Sequence, residues 1–479
     1  MVLVAETPTH FDVSTDVVVV GAGACGLTAG LRALEAGAET IVLERDARPS
    51  GSTAMSSGFI PAPGTRFQRA IGVEETPAEF ARDIQKKAAG GADPAIVRTV
   101  TEQIGPALEW LADAHGLTWH VLDDFLYPGH TKHRMHAVPE KTGAGLMARL
   151  QVAAEAASLP IVTNAHVTTL HAREDLEITG VSLTRLDGTV ETIGCKAVIL
   201  ACNGYGGNPD LVARHIPEIA GAPYFGHPGN TGDAILWGQA LGAATNDLSA
   251  YQGHGSLAHP HGILITWALM MEGGIQVNAG GRRFTNEHTG YSEQAVKVLA
   301  QSDGIAWCIY DDRLHRIGMG FPDYRDAIAA GAIHSGDDAS LLASQIGLPG
   351  RALADTLAQV AKFCAGTAAD PFGRDFTGKP MLSGRLHAVK VTGALFHTQG
   401  GLVIDSSAHV LRPDGTPLPN LFAGGGAACG VSGSRVEGYL SGNGLLTAVG
   451  LGYAAGHFAA TRALLKIGSG ISGEDDAHI

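Results

Sequence analysis

The segment VVVVGAGACG, residues 17–26, constrains this chain more than any other stretch. Val17, Val18, Val19 and Val20 form a β-branched run that reads as a short strand buried in a parallel sheet. Gly21, Gly23 and Gly26 follow at once, and Leu27 to Ala36 reads as a helix ending at Gly37. A GxGxxG spacing alone is weak, but between a strand and a helix it acquires a mechanism. Gly21 permits the tight turn, Gly23 with Ala24 beside it lets backbone touch a pyrophosphate, and Gly26 lets helix and sheet pack closely. The helix start offers unpaired N–H groups and a partial positive charge to anionic phosphates. A second strand, Thr40 to Leu43, ends in Glu44, where a carboxylate can accept hydrogen bonds from a ribose diol, and Arg45 follows it. This is a βαβ start, and the expected fold class is α/β with a Rossmann-type nucleotide-binding domain.

At 479 residues the chain is too long for one simple core. Hydrophobic residues at 45% and charged residues at 17% fit a globular enzyme rather than a disordered or fibrous chain. The formal net charge of −14, without a basic patch, argues against nucleic acid and anionic membrane as partners. The six cysteines form no CxxC pair, haem-attachment motif or iron–sulfur spacing, and read as reduced, mostly buried thiols of a cytoplasmic protein. Met1 to His10 has neither a basic nor an apolar leader region. The apolar stretch from Leu445 to Leu465 carries several glycines plus His457 and Arg462, so it is expected to be a docked core helix rather than a membrane span.

The 65 glycines follow no repeat and cluster in short runs where backbone can approach a ligand. Gly51-Ser52-Thr53-Ala54-Met55-Ser56-Ser57-Gly58 is a loop of small hydroxylated residues suited to an isoalloxazine edge. Further close-approach turns occur at Asn203-Gly204-Tyr205-Gly206-Gly207, at Gly232-Asp233 and at Gly424-Gly425-Gly426. Spread over some 400 residues, they suggest a long cofactor crossing the domain, FAD rather than NAD. Val167, Leu445 and Leu446 join the expected cofactor contacts.

Along the chain, Thr76 to Leu117 has helical spacing, and Pro160 to Ile193 reads as a small β-element. From about Tyr251 to Leu382 the character changes to His-, Gly- and polar-rich sequence, then to helices. The expected organisation is a first FAD-binding segment over 1–249, an inserted α+β capping domain over 250–385, and a second FAD-binding segment over 386–479.

These motifs resemble the fumarate reductase and succinate dehydrogenase flavoprotein superfamily, closest to the branch with the 3-ketosteroid dehydrogenases. The resemblance covers nearly the whole chain and also includes AVILACNGYGGN (197–208), NTGDA (230–234), GGRRFTNE (280–287), FHTQGG (396–401) and GYLSGNGLL (438–446). It implies a flavin domain of two chain segments with a mobile cap between them. Tyr291 stands where fumarate reductases carry an arginine acid, and Tyr439 where they carry a substrate-clamping arginine. The acid relay segment is replaced by Ile265-Thr266-Trp267-Ala268-Leu269-Met270. Both tyrosines look like those of ketosteroid dehydrogenases, where one takes a proton from carbon and the other holds the ketone oxygen. Ser52 stands nearest the place where succinate dehydrogenases link FAD through a histidine, so the resemblance implies non-covalent FAD. His254, Thr266 and His397 fall where fumarate reductases bind substrate carboxylates.

The chemistry expected of this set is desaturation α,β to a ketone in a cyclic substrate, either a small cyclic keto acid such as a 4-oxocyclohexanecarboxylate or a 3-ketosteroid. Tyr291 is the expected base, and the Tyr439 hydroxyl and the Asn443 backbone N–H are the expected donors to the enolate oxygen. Tyr127 either relays the proton or packs without a role, and Ser441 either supports Tyr439 or packs idly. Flavin N5 takes the hydride, and electrons leave to oxygen, a quinone or a carrier. The competing readings are an ene reductase of an unsaturated carboxylate and a flavin-holding protein without turnover. Arg282, Arg283 and Glu287 read as a structural ion-pair network, and the histidines at 254, 259 and 261 lack partners at metal-ligand spacing.

Overall fold

The computed structural model describes residues 3–465; Met1 and Val2, which open the segment read above for a leader, and the tail from 466 lie outside that range. The Val17–Val20 strand is fully buried and pairs in parallel with Thr40–Leu43 on one side and Ala197–Leu200 on the other. Pro417–Ala423 then pairs in parallel with Ala197–Leu200. The resulting six-stranded sheet brings the two ends of the chain together, with Ala197–Leu200 between Val17–Val20 and Pro417–Ala423. A five-stranded sheet, built mainly from His166–Ala172, Ile178–Thr184 and Val190–Gly194, forms the small β-element. The helical stretch after Thr76 is two helices, Pro77–Lys87 and Pro94–His115. Asp93 caps the second, and Ala89 and Gly90 turn the chain between them at positive φ.

Helix Ala24–Glu35 packs on the sheet and against the last helix, Asn443–Leu464. Their crossing is close enough to require glycine. A Cβ on Gly452 would lie 2.6 Å from the Cys25 carbonyl oxygen, and one on Gly456 would lie 2.3 Å from that of Ala29. The terminal apolar stretch is thus a docked core helix, and none of the described helices is long and apolar enough to cross a membrane. Cys25, Cys308 and Cys429 are buried, the other three cysteines half-buried, and all six are free thiols.

The cap is an antiparallel sheet with Leu386–Thr398 at its centre, flanked by Tyr251–Ala258 and Ile305–Asp311. The sequence pattern put the end of the insert at 385, but this 13-residue strand hydrogen-bonds throughout to cap strands. Polarity falls at Leu386 because the strand is buried. Arg283, Glu287, Asp370 and Arg374 form a buried ion network in the cap, with Arg283 Nη2 2.7 Å from Glu287 Oε2 and Arg374 Nη1 3.0 Å from it. Arg282 is exposed and takes no part.

Candidate active site

The dinucleotide end of the site is mostly main chain. Gly21 has φ +103, and a Cβ there would lie 2.6 Å from the Ala201 carbonyl oxygen. A Cβ on Gly26 would lie 1.8 Å from the Gly21 carbonyl oxygen, so Gly26 shapes the turn without facing the cleft. The N-cap residue of helix Ala24–Glu35, Gly23, has no side chain to cap it, and of its first N–H groups that of Ala24 is taken by Thr53 Oγ1, which leaves the next ones to face an anion. Glu44 is held by the N–H groups of Ala22 (2.9 Å) and Asp46 (3.0 Å). Arg45 donates to the Gly229 carbonyl (2.9 Å), and Ser52 accepts from Asn230 (2.8 Å).

One cavity here is lined by Gly21, Gly23, Glu44, Arg45, Gly51, Ser52, Val167, Asn203 and Asp233. A second is lined by Ser52, Thr53, Ser57, Gly58, Asn203, Gly425 and Leu445, together with the expected reacting residues. The two share Ser52, Ala201 and Asn203, forming one cleft long enough to run from the first helix to the cap. An uncapped helix start, a pinned ribose-type carboxylate and a cleft walled by glycines and hydroxyls fit a flavin dinucleotide.

At the far end, three tyrosines from three chain segments converge. Ring centroids lie 6.0 Å apart for Tyr291 and Tyr439 and 6.4 Å for Tyr127 and Tyr291. Tyr291 opens helix Tyr291–Leu299 of the cap, whereas Tyr439 lies in the turn before the last helix. Burial pushes the Tyr291 phenol up to about 12, opposed by the nearby Ser441 and Tyr439 hydroxyls, which favour its ionised form. Tyr439 and Tyr127 are pushed higher still, first by burial and then by Tyr291 itself.

His254 stacks between Tyr291 (4.8 Å) and Phe396 (5.1 Å). A register shift in its strand after His254 accompanies this placement. Its Nδ1 accepts from the Ser256 N–H (3.1 Å), which leaves Nε2 to carry the proton. Burial pulls its pKa down to about 3, so the ring is neutral. His397, with Nδ1 2.9 Å from Gln399 Nε2, is likewise pulled down to about 4. Thr266 completes this wall. Among the described lining residues of this cavity there is no lysine or arginine, and its single carboxylate is Asp323.

Several expected contacts lie elsewhere. The Asn443 N–H donates to the Leu440 carbonyl (3.0 Å), and its side chain donates to Ser432 (3.1 Å), so it is not available to a substrate. The backbone of Gly444 and Gly442 favours the ionised form of Tyr439, against the burial that pushes it up. Gly444 must be glycine, since a Cβ there would lie 2.7 Å from His397 Nε2. Leu446 is fully buried in the core, its N–H committed to Gly442. Ala24 donates to Thr53 Oγ1 (3.2 Å), and Gly204 packs under Thr398; neither lines the cleft. Trp267, Phe225, Phe396 and Gln252 line the reacting end without having been singled out. Trp267 and Phe396 sit inside or beside quoted motifs, and aromatic character was the available signal.

Residues 16–445 match the family described as FAD binding domain. A probable fumarate reductase, Ifc3, of Shewanella frigidimarina is 30% identical over 95% of this chain and 76% of that protein. A 4-oxocyclohex-2-ene-1-carboxylate 5-dehydrogenase of Sinomonas cyclohexanicum is 26% identical over 93% of each chain. The open conformation of a flavocytochrome c3 fumarate reductase superposes with a TM-score of 0.80 at 29% identity, covering 95% of this chain and 79% of that one. A 3-ketosteroid-Δ4-(5α)-dehydrogenase from Rhodococcus jostii RHA1, in complex with 4-androstene-3,17-dione, superposes with a TM-score of 0.75 at 26% identity, covering 96% of this chain and 99% of that one.

Proposed function

The chain belongs to the FAD-binding-domain family, within the fumarate reductase flavoprotein superfamily, and from that premise we propose that this FAD-dependent oxidoreductase desaturates a cyclic ketone next to its carbonyl. One observation carries the reading: the reacting end of the cleft presents tyrosines and neutral histidines and, among the described lining residues, no cation. A dicarboxylate buried there would lack a counter-charge, and desolvating such charges costs several kcal/mol each, about. A ketone needs only hydrogen-bond donors.

Tyr291 removes the α proton, and Tyr439 donates to the carbonyl oxygen as negative charge develops on it. Ser441 favours the ionised form of Tyr291 while Tyr439 turns to substrate. The Gly444 backbone favours the ionised form of Tyr439. His254 stacks on the base and keeps it in one orientation. FAD, held non-covalently along the cleft, supplies the acceptor for the β hydride. The substrate is a cyclic ketone of the kind named for the two dehydrogenase relatives, either a 3-ketosteroid or a small cyclic keto acid. Both relatives match over nearly their full length, and the lack of a lysine or arginine in the cavity lining favours the former. The final electron acceptor is external: oxygen, a quinone or a carrier.

The test is anaerobic mixing of the purified flavoprotein with a panel of 3-ketosteroids, 4-oxocyclohexanecarboxylate and neutral cyclohexanones. The flavin is expected to bleach with at least one of them. A second reading, an ene reductase of an unsaturated carboxylate, draws on the fumarate reductase relatives. Rapid dye-linked reduction of fumarate or a related enoate, with every ketone inert, would replace the first reading by the second.

A further inference from the structure

Behind the tyrosine cluster lies a buried polar network that the reaction itself does not use. Arg134 is fully buried. Its Nε and Nη2 donate to the Glu75 carboxylate, and Nη2 also donates to Asp83 Oδ2 (2.7 Å). Thr131 donates to the same Asp83 oxygen through both its N–H (3.0 Å) and its hydroxyl (2.7 Å). The loop that runs from Tyr127 to Arg134 is therefore tied at one end by a fully paired ionic cluster.

His130 connects that cluster to the active site. Its Nδ1 lies 2.9 Å from Arg134 Nη1, and its Nε2 lies 3.0 Å from the Ser441 carbonyl oxygen. A guanidinium only donates, so Nδ1 must accept. The ring proton then sits on Nε2 and donates to Ser441. Burial and the Arg134 charge hold the imidazole neutral, pulled down to about 3, and Phe80 stacks on it. One tautomer in one orientation satisfies both ends.

We propose that His130 is a positioning residue, a neutral strut that fixes the Ser441 backbone against the Arg134 cluster and so aims the Ser441 hydroxyl at Tyr291. This rests on the reading of Tyr291 as the base. The same loop carries Tyr127, so the strut holds two walls of the cavity in one register. The titratable groups around Tyr291 are Tyr127 on this loop, His254 on the cap strand, Tyr439 on the turn, and Glu293 on its own helix. Ser441 lines the same cavity as Tyr291, and its backbone is the part that His130 holds.

The experiment compares His130→Phe with His130→Gln in the holoenzyme. Phenylalanine fills the volume but neither accepts nor donates. A glutamine amide can accept from Arg134 through its oxygen and donate to Ser441 through its nitrogen. His130→Phe is expected to retain FAD and KM and to lose kcat by about tenfold to a hundredfold, the scale of a slightly misplaced group. Its kcat/KM profile should shift to higher pH, because Ser441 no longer favours the ionised base. His130→Gln should recover most of both. The strut is overturned if His130→Phe lowers only thermal stability, or if His130→Gln is as impaired as His130→Phe. Should His130→Phe fail to fold, His130→Asn replaces it: too short to span both partners, it must show the same kcat loss and pH shift, and normal values overturn the strut. If the wild-type flavin is reduced by no ketone, the dehydrogenase reading fails by itself. Ultraviolet titration of Tyr291 ionisation, read against a Tyr291→Phe background, then still decides whether His130→Phe raises that phenol's pKa.

Discussion

At the dinucleotide end of the cleft, contacts come largely from backbone turns, of which the one at Gly21 leaves no room for a Cβ, and the ionisable groups Glu44, Arg45 and Asp233 line it. At the reacting end, side chains from the 127–134 loop, the cap and the 439–444 turn converge, and the histidines are held neutral. The first end is set by local sequence and suits a ligand with fixed charges. The second is assembled across the fold and suits a substrate whose charge appears only during reaction. One cleft thus combines a charge-tolerant anchor with a largely buried cavity lined by tyrosine hydroxyls and neutral histidines.

This contrast can be tested by perturbing one end at a time. The largest effect is expected from Tyr291→Phe, which should cut kcat by about 10³-fold while the protein stays yellow with full FAD content. Comparable turnover by that variant would remove the base from the reacting end. Next, Gly26→Ala should act only on the anchor. Its Cβ would meet the Gly21 carbonyl oxygen at 1.8 Å, and relieving such overpacking costs about 3 kcal/mol, or about a hundredfold in FAD affinity. Flavin titration of the apoprotein checks this, and unchanged affinity would show that the turn is more pliant than its geometry.

A smaller effect concerns the join between the two parts. Lys87, from the helix Pro77–Lys87, reaches the cap, with Nζ 2.7 Å from Glu293 Oε1 and 2.8 Å from the Thr289 carbonyl. Both side chains are largely buried, at 13% and 6% exposure. Lys87→Met strands a buried carboxylate and should cost about 3 kcal/mol of stability, with about a tenfold fall in kcat from a misplaced Tyr291. Calorimetry and steady-state kinetics read the two separately.

The mildest prediction is on pH. His130, His136, His254 and His397 have folded-state values pulled down, largely by burial, to about 3 or 4. The unfolded chain takes up these protons near the ordinary value of about 6.5, while the folded chain resists. The stability they preserve is full above about pH 6.5 and declines progressively toward pH 4. A melting temperature flat from pH 7 to pH 4.5 would contradict neutral burial at the reacting end.

The same contrast explains what could be read from residue order. The strand, turn and helix at 17–35 were legible because Val17–Val20 and Gly21, Gly23 and Gly26 act on their immediate neighbours. Tyr291 and Tyr439 were legible as departures from a family pattern, and they do converge. The engagement of the Asn443 N–H was not legible: which N–H is free depends on where the last helix starts, and Gly442 at φ 87 places that start so that Leu440 claims the Asn443 donor. The pairing of Leu386–Thr398 with Tyr251–Ala258 and Ile305–Asp311 was not legible, because a buried strand looks alike whichever sheet it joins. The Arg134 cluster carried no local signal at all, since Glu75, Asp83, His130 and Arg134 meet only through tertiary packing.

The glycine seam between the first and last helices has a further consequence. Gly452 and Gly456 lock the polypeptide's late segment onto Cys25 and Ala29, and the same late helix begins beside Tyr439. A growing polypeptide on the ribosome holds the pyrophosphate turn early, yet lacks both the lid of that turn and half the reacting wall until residues past 456 emerge. Chain order therefore leaves the cleft open on the side of Gly444, Leu445, Thr447 and Ala448 until this last helix has been made.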